Sequence, residues 1–155
     1  MNKKWTNDTA LMDSLAGALV EMLPLLPKRL VRTDSLMRTH SMPFSQIQIL
    51  VLLADGPLSV GEISDKLNIA KPNITPLVDN LRKQNLVERV RDESDHRIVN
   101  VRLLSEGEKR VQQIIADVRE QVLSWPGEYS RSEIKEVNNA LATLLRFAKS
   151  LDISE

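Results

Sequence analysis

A mainly α fold is predicted, with a β-hairpin following a tight pair of helices and long helices at both ends. Three features of the sequence predict it. Apolar residues recur with a period of 3.6 along most of the chain, the period drops to 2 between residues 86 and 103, and three Ser-x-x-Glu segments mark helix starts. At 155 residues the chain suits one domain, 1–155, able to bury a core without a disulfide or metal staple.

Taken in order, residues 9–39 carry a helical stripe of Leu11, Leu15, Ala18, Leu19, Met22, Leu26 and Leu30. Pro24 and Pro27 lie inside it, and each removes a backbone donor, so the helix should kink or divide there. Pro43 is read as the first position of a dense apolar helix running to about Ala54, and Asp55-Gly56-Pro57 as a turn. Ser59-Val60-Gly61-Glu62 is a capping box opening a helix to about Leu67, with Asn68 as a left-handed terminator. Lys71-Pro72 opens the next helix, whose inner stripe is Ile74, Leu77, Val78 and Leu81, ending at a second left-handed Asn85. Leu86–Arg91 and Arg97–Leu103 read as two strands, with Val99, Val101 and Leu103 on one face and the polar loop 92–96 between them. Ser105-Glu106-Gly107-Glu108 is a second capping box, for a helix to about Ser124 with Val111, Ile114, Ile115, Val118 and Val122 in a stripe. After Pro126-Gly127, Ser130-Arg131-Ser132-Glu133 caps a last helix lined by Ile134, Val137, Leu141, Leu144, Leu145, Ala148 and Leu151.

This order predicts a winged helix-turn-helix over residues 43–104. The helix-turn-helix occupies about 59–84 and a two-stranded β-wing about 86–103. The flanking segments, 1–42 and 105–155, carry more apolar stripe than one small core can bury, which predicts a dimerisation region. A helix apolar on one stripe leaves its other side exposed, and a major groove is wide enough to admit that side.

Composition removes other classes. There is no Cys, which excludes disulfides, thiolate metal sites, a Cys nucleophile and direct thiol redox sensing. With two His no metal site is expected, and no cofactor loop of the GxGxxG or GxxxxGK[ST] type is present. Nothing forms a nucleophile–base pair at recognisable spacing, so the chain is read as no enzyme. Lys plus Arg equals Asp plus Glu at 21 each, which excludes a globally basic nucleic-acid glue but not a local basic face. Residues 71–110 hold nine basic and seven acidic side chains, a local excess of +2. Aromatics are 3%, too few for base-stacking platforms. No leader or membrane-spanning run is read, so the expectation is a cytoplasmic protein without a membrane partner.

Residues 56–107 read GPLSVGEISDKLNIAKPNITPLVDNLRKQNLVERVRDESDHRIVNVRLLSEG. Gly56-Pro57-Leu58, the Ile74–Leu81 pattern, Leu86-Val87-Glu88-Arg89, Asp95-x-Arg97 and the Leu103-Leu104-Ser105 ending resemble the MarR family of winged-helix transcriptional regulators. The likeness extends over nearly the whole chain. It implies an obligate homodimer, a pseudo-palindromic double-stranded DNA operator and, often, repression released by a small aromatic or amphipathic effector. Asn68 and Asn85 stand where that family often has Gly, and Pro76 where many members carry a polar residue. The missing Cys excludes the peroxide-sensing branch, and two His argue against the zinc-sensing one.

On the helical wheel Asn73, Thr75 and Pro76 are assigned to base edges, and Lys71, Asn80 and Lys83 to phosphates or outer bases. The resemblance places Arg97 in a minor groove, where narrow A·T tracts attract a guanidinium. Asp95 is expected to fix the wing turn or to pair with Arg97 or Arg91. His40 is read as an exposed turn residue. With Met42 and Phe44 it lies at the junction where the family's ligand pockets are found, which makes the three candidates for an effector pocket. The competing reading is a winged-helix protein-interaction module without DNA binding, favoured by the small charge excess and by Pro76.

Overall fold

The computed structural model describes residues 8–92, 97–125 and 127–151, with Lys28 by its backbone alone. Helix α1 spans Thr9–Met22, and the Asp8 carboxylate at its N-cap accepts from the Leu11 amide at 3.0 Å. The two prolines then do what their chemistry requires. The stripe predicted over 9–39 divides into α1, a π-helical turn at Leu26–Leu30 and α2, Thr33–His40. In the π-turn the Leu30 and Val31 amides reach back five residues, to the Leu25 and Leu26 carbonyls at 3.3 and 3.0 Å.

A left-handed Ser41 (φ 52°) ends α2 and leads into α3, Phe44–Leu53. Pro43 is the N-cap of α3, with extended ψ of 150°, one residue outside the position predicted for it. Ile47, Ile49, Leu50 and Leu53 of α3 form the centre of the core.

Helix α4, Val60–Leu67, starts at the predicted capping box. The Glu62 amide donates to Ser59 Oγ at 3.2 Å, and the Ser59 amide to Glu62 Oε2 at 2.7 Å. Asn68 (φ 50°) closes it, and Ser64 Oγ donates to the Ile69 carbonyl at 2.7 Å across the turn. Helix α5, Lys71–Lys83, buries Ile74, Val78 and Leu81 completely. Each such side chain contributes about 1.5–3 kcal/mol, so this stripe seats the helix. Asn85 (φ 56°) terminates the helix, and the Leu86 amide returns to the Leu81 carbonyl at 3.1 Å.

The hairpin forms from β2, Val87–Arg91, and β3, Val99–Leu103, with Glu88 opposite Arg102 and Arg89 opposite Val101. The expected two-stranded wing forms, and a further short strand joins it in a three-stranded antiparallel sheet of order β1-β3-β2. The third strand, β1, is Leu58–Ser59, with Leu58 opposite Val101. Two residues are too few to show a period, so only the meeting of distant segments reveals β1. Along β3 the predicted inner face holds for Val101, which is fully buried, while Val99 is 44% exposed beyond the edge of the core.

Helix α6 spans Ser105–Leu123. The capping box expected at Ser105 does not form, because Leu104 is the N-cap and Ser105 is already helical. The Leu104 amide donates to the Leu86 carbonyl at 3.0 Å, which ties the helix start to the approach to β2. Gly107 lies against that same carbonyl, where a Cβ would come within 2.0 Å of the oxygen. Val111 and Ile114 join the winged core rather than an external stripe.

Helix α7, Arg131–Ser150, has the predicted Ser130/Glu133 capping box, with the Ser130 amide 2.8 Å from Glu133 Oε2. Hydrogen bonds from the Ser130 hydroxyl and amide hold the Glu133 carboxyl below the usual glutamate range. Neither α1 nor α7 contains a buried residue. Leu11, Leu15 and Leu19 on α1, and Ile134, Val137, Leu141, Leu144 and Leu145 on α7, lie open.

Candidate nucleic-acid interface

Helix α5 turns its buried stripe toward α3 and β2 and presents the opposite side outward. Lys71, Asn73, Thr75, Pro76, Asn80 and Lys83 are all exposed there. All six positions nominated from the wheel are thus exposed, spread around the side of α5 that the buried stripe leaves free. Pro76 removes one backbone donor, yet α5 runs unbroken from Lys71 to Lys83. Thr75 Oγ1 donates back to the Lys71 carbonyl at 3.4 Å, and Asn80 Oδ1 accepts from Gln84 Nε2 at 2.5 Å. The Lys71 side chain passes over Gly61, where a Cβ would lie 3.4 Å from its Cε and Nζ.

Of the wing candidates, Arg91 ends β2 and Arg97 precedes β3, and both side chains are exposed. Asp95 lies outside the described residues. The described part of the hairpin closes through a residue not nominated. The Asp92 amide donates to the Ile98 carbonyl at 3.0 Å, and Asp92 Oδ2 accepts from Asn100 Nδ2 at 3.0 Å. Asn100 stands at an ordinary polar position of the β3 alternation, as Arg102 does, so no local signal singles out this bond.

Two further basic residues near this face are already engaged. Arg89 Nη2 lies 3.1 Å from Asp79 Oδ1, and Arg102 Nη2 lies 2.7 Å from Glu88 Oε1 across the β2–β3 pair. Arg82 Nη2 stands 3.8 Å from the same Asp79 oxygen. These ion pairs use acids of the same segment, so they leave the +2 excess of residues 71–110 unchanged but localise it, and the positive charge presented on the α5 face comes chiefly from Lys71 and Lys83.

The effector candidates separate. His40 is corrected from an exposed turn residue to a buried one, with its Nε2 2.9 Å from Asp117 Oδ2 on α6. The end of α2 packs against α6, and Arg110 Nη1 donates to the His40 carbonyl at 3.4 Å. His40, Gln84, Arg110 and Asp117 line an open cleft of about 500 Å³. Met42 sits in the core and Phe44 packs against it, so neither lines that cleft. Among the described residues no group of three or more His, Asp or Glu is placed to hold a metal ion, and no helix is long and apolar enough to cross a membrane.

The comparisons with known proteins follow this geometry. The model of the MarR family matches residues 40–98. The chain is 35% identical over 89 residues to the uncharacterized HTH-type transcriptional regulator YsmB of Bacillus subtilis, covering 57% of this chain and 61% of that one, so it spans less than two thirds of YsmB. It is 30% identical over 108 residues to the HTH-type transcriptional regulator FarR of Neisseria gonorrhoeae, covering 69% of this chain and 74% of FarR. A MarR family protein from Bacillus stearothermophilus superposes with a TM-score of 0.68 at 26% identity, covering 97% and 99% of the two chains.

Proposed function

The chain belongs to the MarR family of transcriptional regulators, and from that premise we propose that it is a homodimeric, sequence-specific reader of duplex DNA. It carries the helix-turn-helix fold of a regulator and is not an enzyme. In the proposed function it binds a pseudo-palindromic operator in the cytoplasm as a repressor and is released by a small ligand.

The observation that carries this reading is the one-sided seating of α5. Three fully buried side chains fix the helix, and Asn73, Thr75 and Pro76 stand exposed near its N-terminal end, where recognition helices meet base edges. Asn73 can pair bidentately with adenine, and the Pro76 ring suits a thymine methyl. Lys71, Asn80 and Lys83 serve phosphates or outer bases. Arg97 is positioned before β3 for an adjacent minor groove, with Arg91 and Asp95 supporting the wing.

Dimerisation is supported by the open apolar faces of α1 and α7, which none of the described residues covers. A second copy, related by a twofold axis, is the occupant that satisfies both at once. The cleft beside His40 supports a ligand site, since its Gln84 also holds Asn80 on the recognition face.

Selection of bound sequences from a random duplex pool tests the function. The expected product is a pseudo-palindrome with half-site centres roughly 10–11 base pairs apart, one helical turn. Inserting five base pairs between half-sites should abolish tight binding, because it rotates one half-site by about half a turn. Recovery of no sequence, with no salt-dependent binding to random duplex either, leaves the protein-interaction module as the function.

A further inference from the structure

The recognition helix carries a single acidic side chain, Asp79. A carboxylate near a DNA backbone opposes phosphate binding, and a shielded oxygen is costly unless paired. Helix formation does not call for it, since Asp is a weak former in a helix interior and the buried stripe of α5 is complete without it. The position is nonetheless built around the acid. Asp79 Oδ1 is screened from solvent and makes no hydrogen bond, but two guanidiniums stand in charge contact with it, Arg89 Nη2 of β2 at 3.1 Å and Arg82 Nη2 at 3.8 Å.

Arg89 reaches it from a rigid place. It stands opposite Val101 in the β2–β3 register, and Val101 is fully buried and also paired with Leu58 of β1. The ion pair therefore joins the third turn of α5 to the midpoint of β2, the edge strand that forms one arm of the wing.

We propose that Asp79 is a positioning residue for DNA reading. By holding Arg89 it sets the angle between recognition helix and wing, so that the base contacts of α5 and the groove contact of Arg97 fall in register on one duplex. Specificity is gained at some cost in general attraction to phosphate. This inference rests on the duplex-reading function proposed above.

The test compares affinity for the sequence selected by the wild type with affinity for random duplex, in wild type, Asp79→Asn, Arg89→Lys and the double variant. Asp79→Asn is isosteric and adds one positive charge per protomer. Charge alone would tighten binding to every duplex. Positioning predicts that random-duplex affinity holds or rises while the selected-to-random ratio falls about tenfold, within the range for residues coupled in one network. Arg89→Lys keeps the charge but loses the guanidinium geometry, and should lower the ratio similarly. The double variant should be no worse than either single, because both remove the same pair. Thermal melting identifies any variant that fails to fold, and Arg89→Lys then carries the test if Asp79→Asn is that variant. A folded Asp79→Asn protein with an unchanged ratio overturns the proposal, as do additive losses in the double variant. A wild-type ratio near one overturns duplex reading itself and this inference with it, whereas a high wild-type ratio that survives both substitutions overturns this inference alone.

Discussion

Gln121, buried on α6, accepts the backbone N–H of Arg32 at 2.8 Å through its Oε1, across 89 residues of sequence. Arg32 is the N-cap of α2, directly after the π-turn, so the amide finds its partner in another helix. This bond holds the broken N-terminal region against the helix that also enters the winged core. Gln121→Leu keeps the approximate volume and removes the acceptor. Stability should fall by about 0.5–1.5 kcal/mol, the net worth of one part-buried hydrogen bond, measured by urea melting at fixed protein concentration. The Arg32 amide should also lose its protection from hydrogen exchange, and retained protection together with unchanged stability would remove the role assigned to this bond.

Gly107→Ala should be among the most damaging conservative substitutions. The added Cβ would meet the Leu86 carbonyl at 2.0 Å, and that oxygen already receives the Leu104 amide at 3.0 Å. Backbone on both sides leaves no flexible side chain to give way. A loss of about 2–3 kcal/mol or more is expected, read as a lowered thermal midpoint. A midpoint within one or two degrees of wild type would show that the α6 start yields more easily than its geometry indicates.

Leu144→Glu tests the dimer. Leu144 lies on the open apolar face of α7, so the isolated protomer should tolerate a carboxylate there. In the proposed interface two unpaired carboxylates would be buried, at about 3–5 kcal/mol each, enough to weaken association by at least 10⁴-fold. Sedimentation should show a folded monomer, and a folded dimer would refute the assignment of α7.

Glu133 gives a pH dependence with a definite sign. Its carboxyl is held below the usual glutamate range by Ser130, so the folded state favours the charged form. The stability it contributes is full above the unfolded pKa and is lost as pH falls through the lowered folded value. The stability difference between wild type and Glu133→Gln should therefore be largest near neutral pH and shrink below pH 4.5, the group's ordinary value. Equilibrium unfolding across that range reads it, and a difference that grows on acidification contradicts the cap.

Arg97→Ala should weaken binding to A·T-flanked sites roughly tenfold more than to G·C-flanked ones, because a guanidinium in a minor groove reads groove width. Competition between the two flank types decides the point. Equal losses, with a smaller salt slope, would place Arg97 on the phosphate backbone instead.

The exposure of the residues proposed to read DNA was legible because its causes are local. Ile74, Val78 and Leu81 repeat at helical spacing, so their burial also determined that Lys71, Asn73, Thr75, Pro76, Asn80 and Lys83 would share the open side. The electrostatics of that surface were not legible. In sequence Arg89 is just one of the nine basic residues of 71–110, but it stands 3.1 Å from Asp79, because a strand residue and a helix residue meet only after the turn at Asn85 folds β2 back along α5. The Asp92–Asn100 bond was missed similarly, since it depends on hairpin register.

The sequence by itself determined where elements begin and stop. Ser59, Ser130, Asn68 and Asn85 act on backbone groups within a few residues, and Pro24 and Pro27 act by removing their own donors, so no distant partner is needed. Tertiary structure decided what those elements touch. It paired Leu58 with Val101, drew His40 out of solvent against Asp117, and put the N-cap of α6 at Leu104 instead of Ser105. The reason is physical. Capping and periodicity are satisfied within a turn of chain, whereas a lone amide, imidazole or carboxylate takes whichever partner the packing of distant helices and strands brings within about 3 Å.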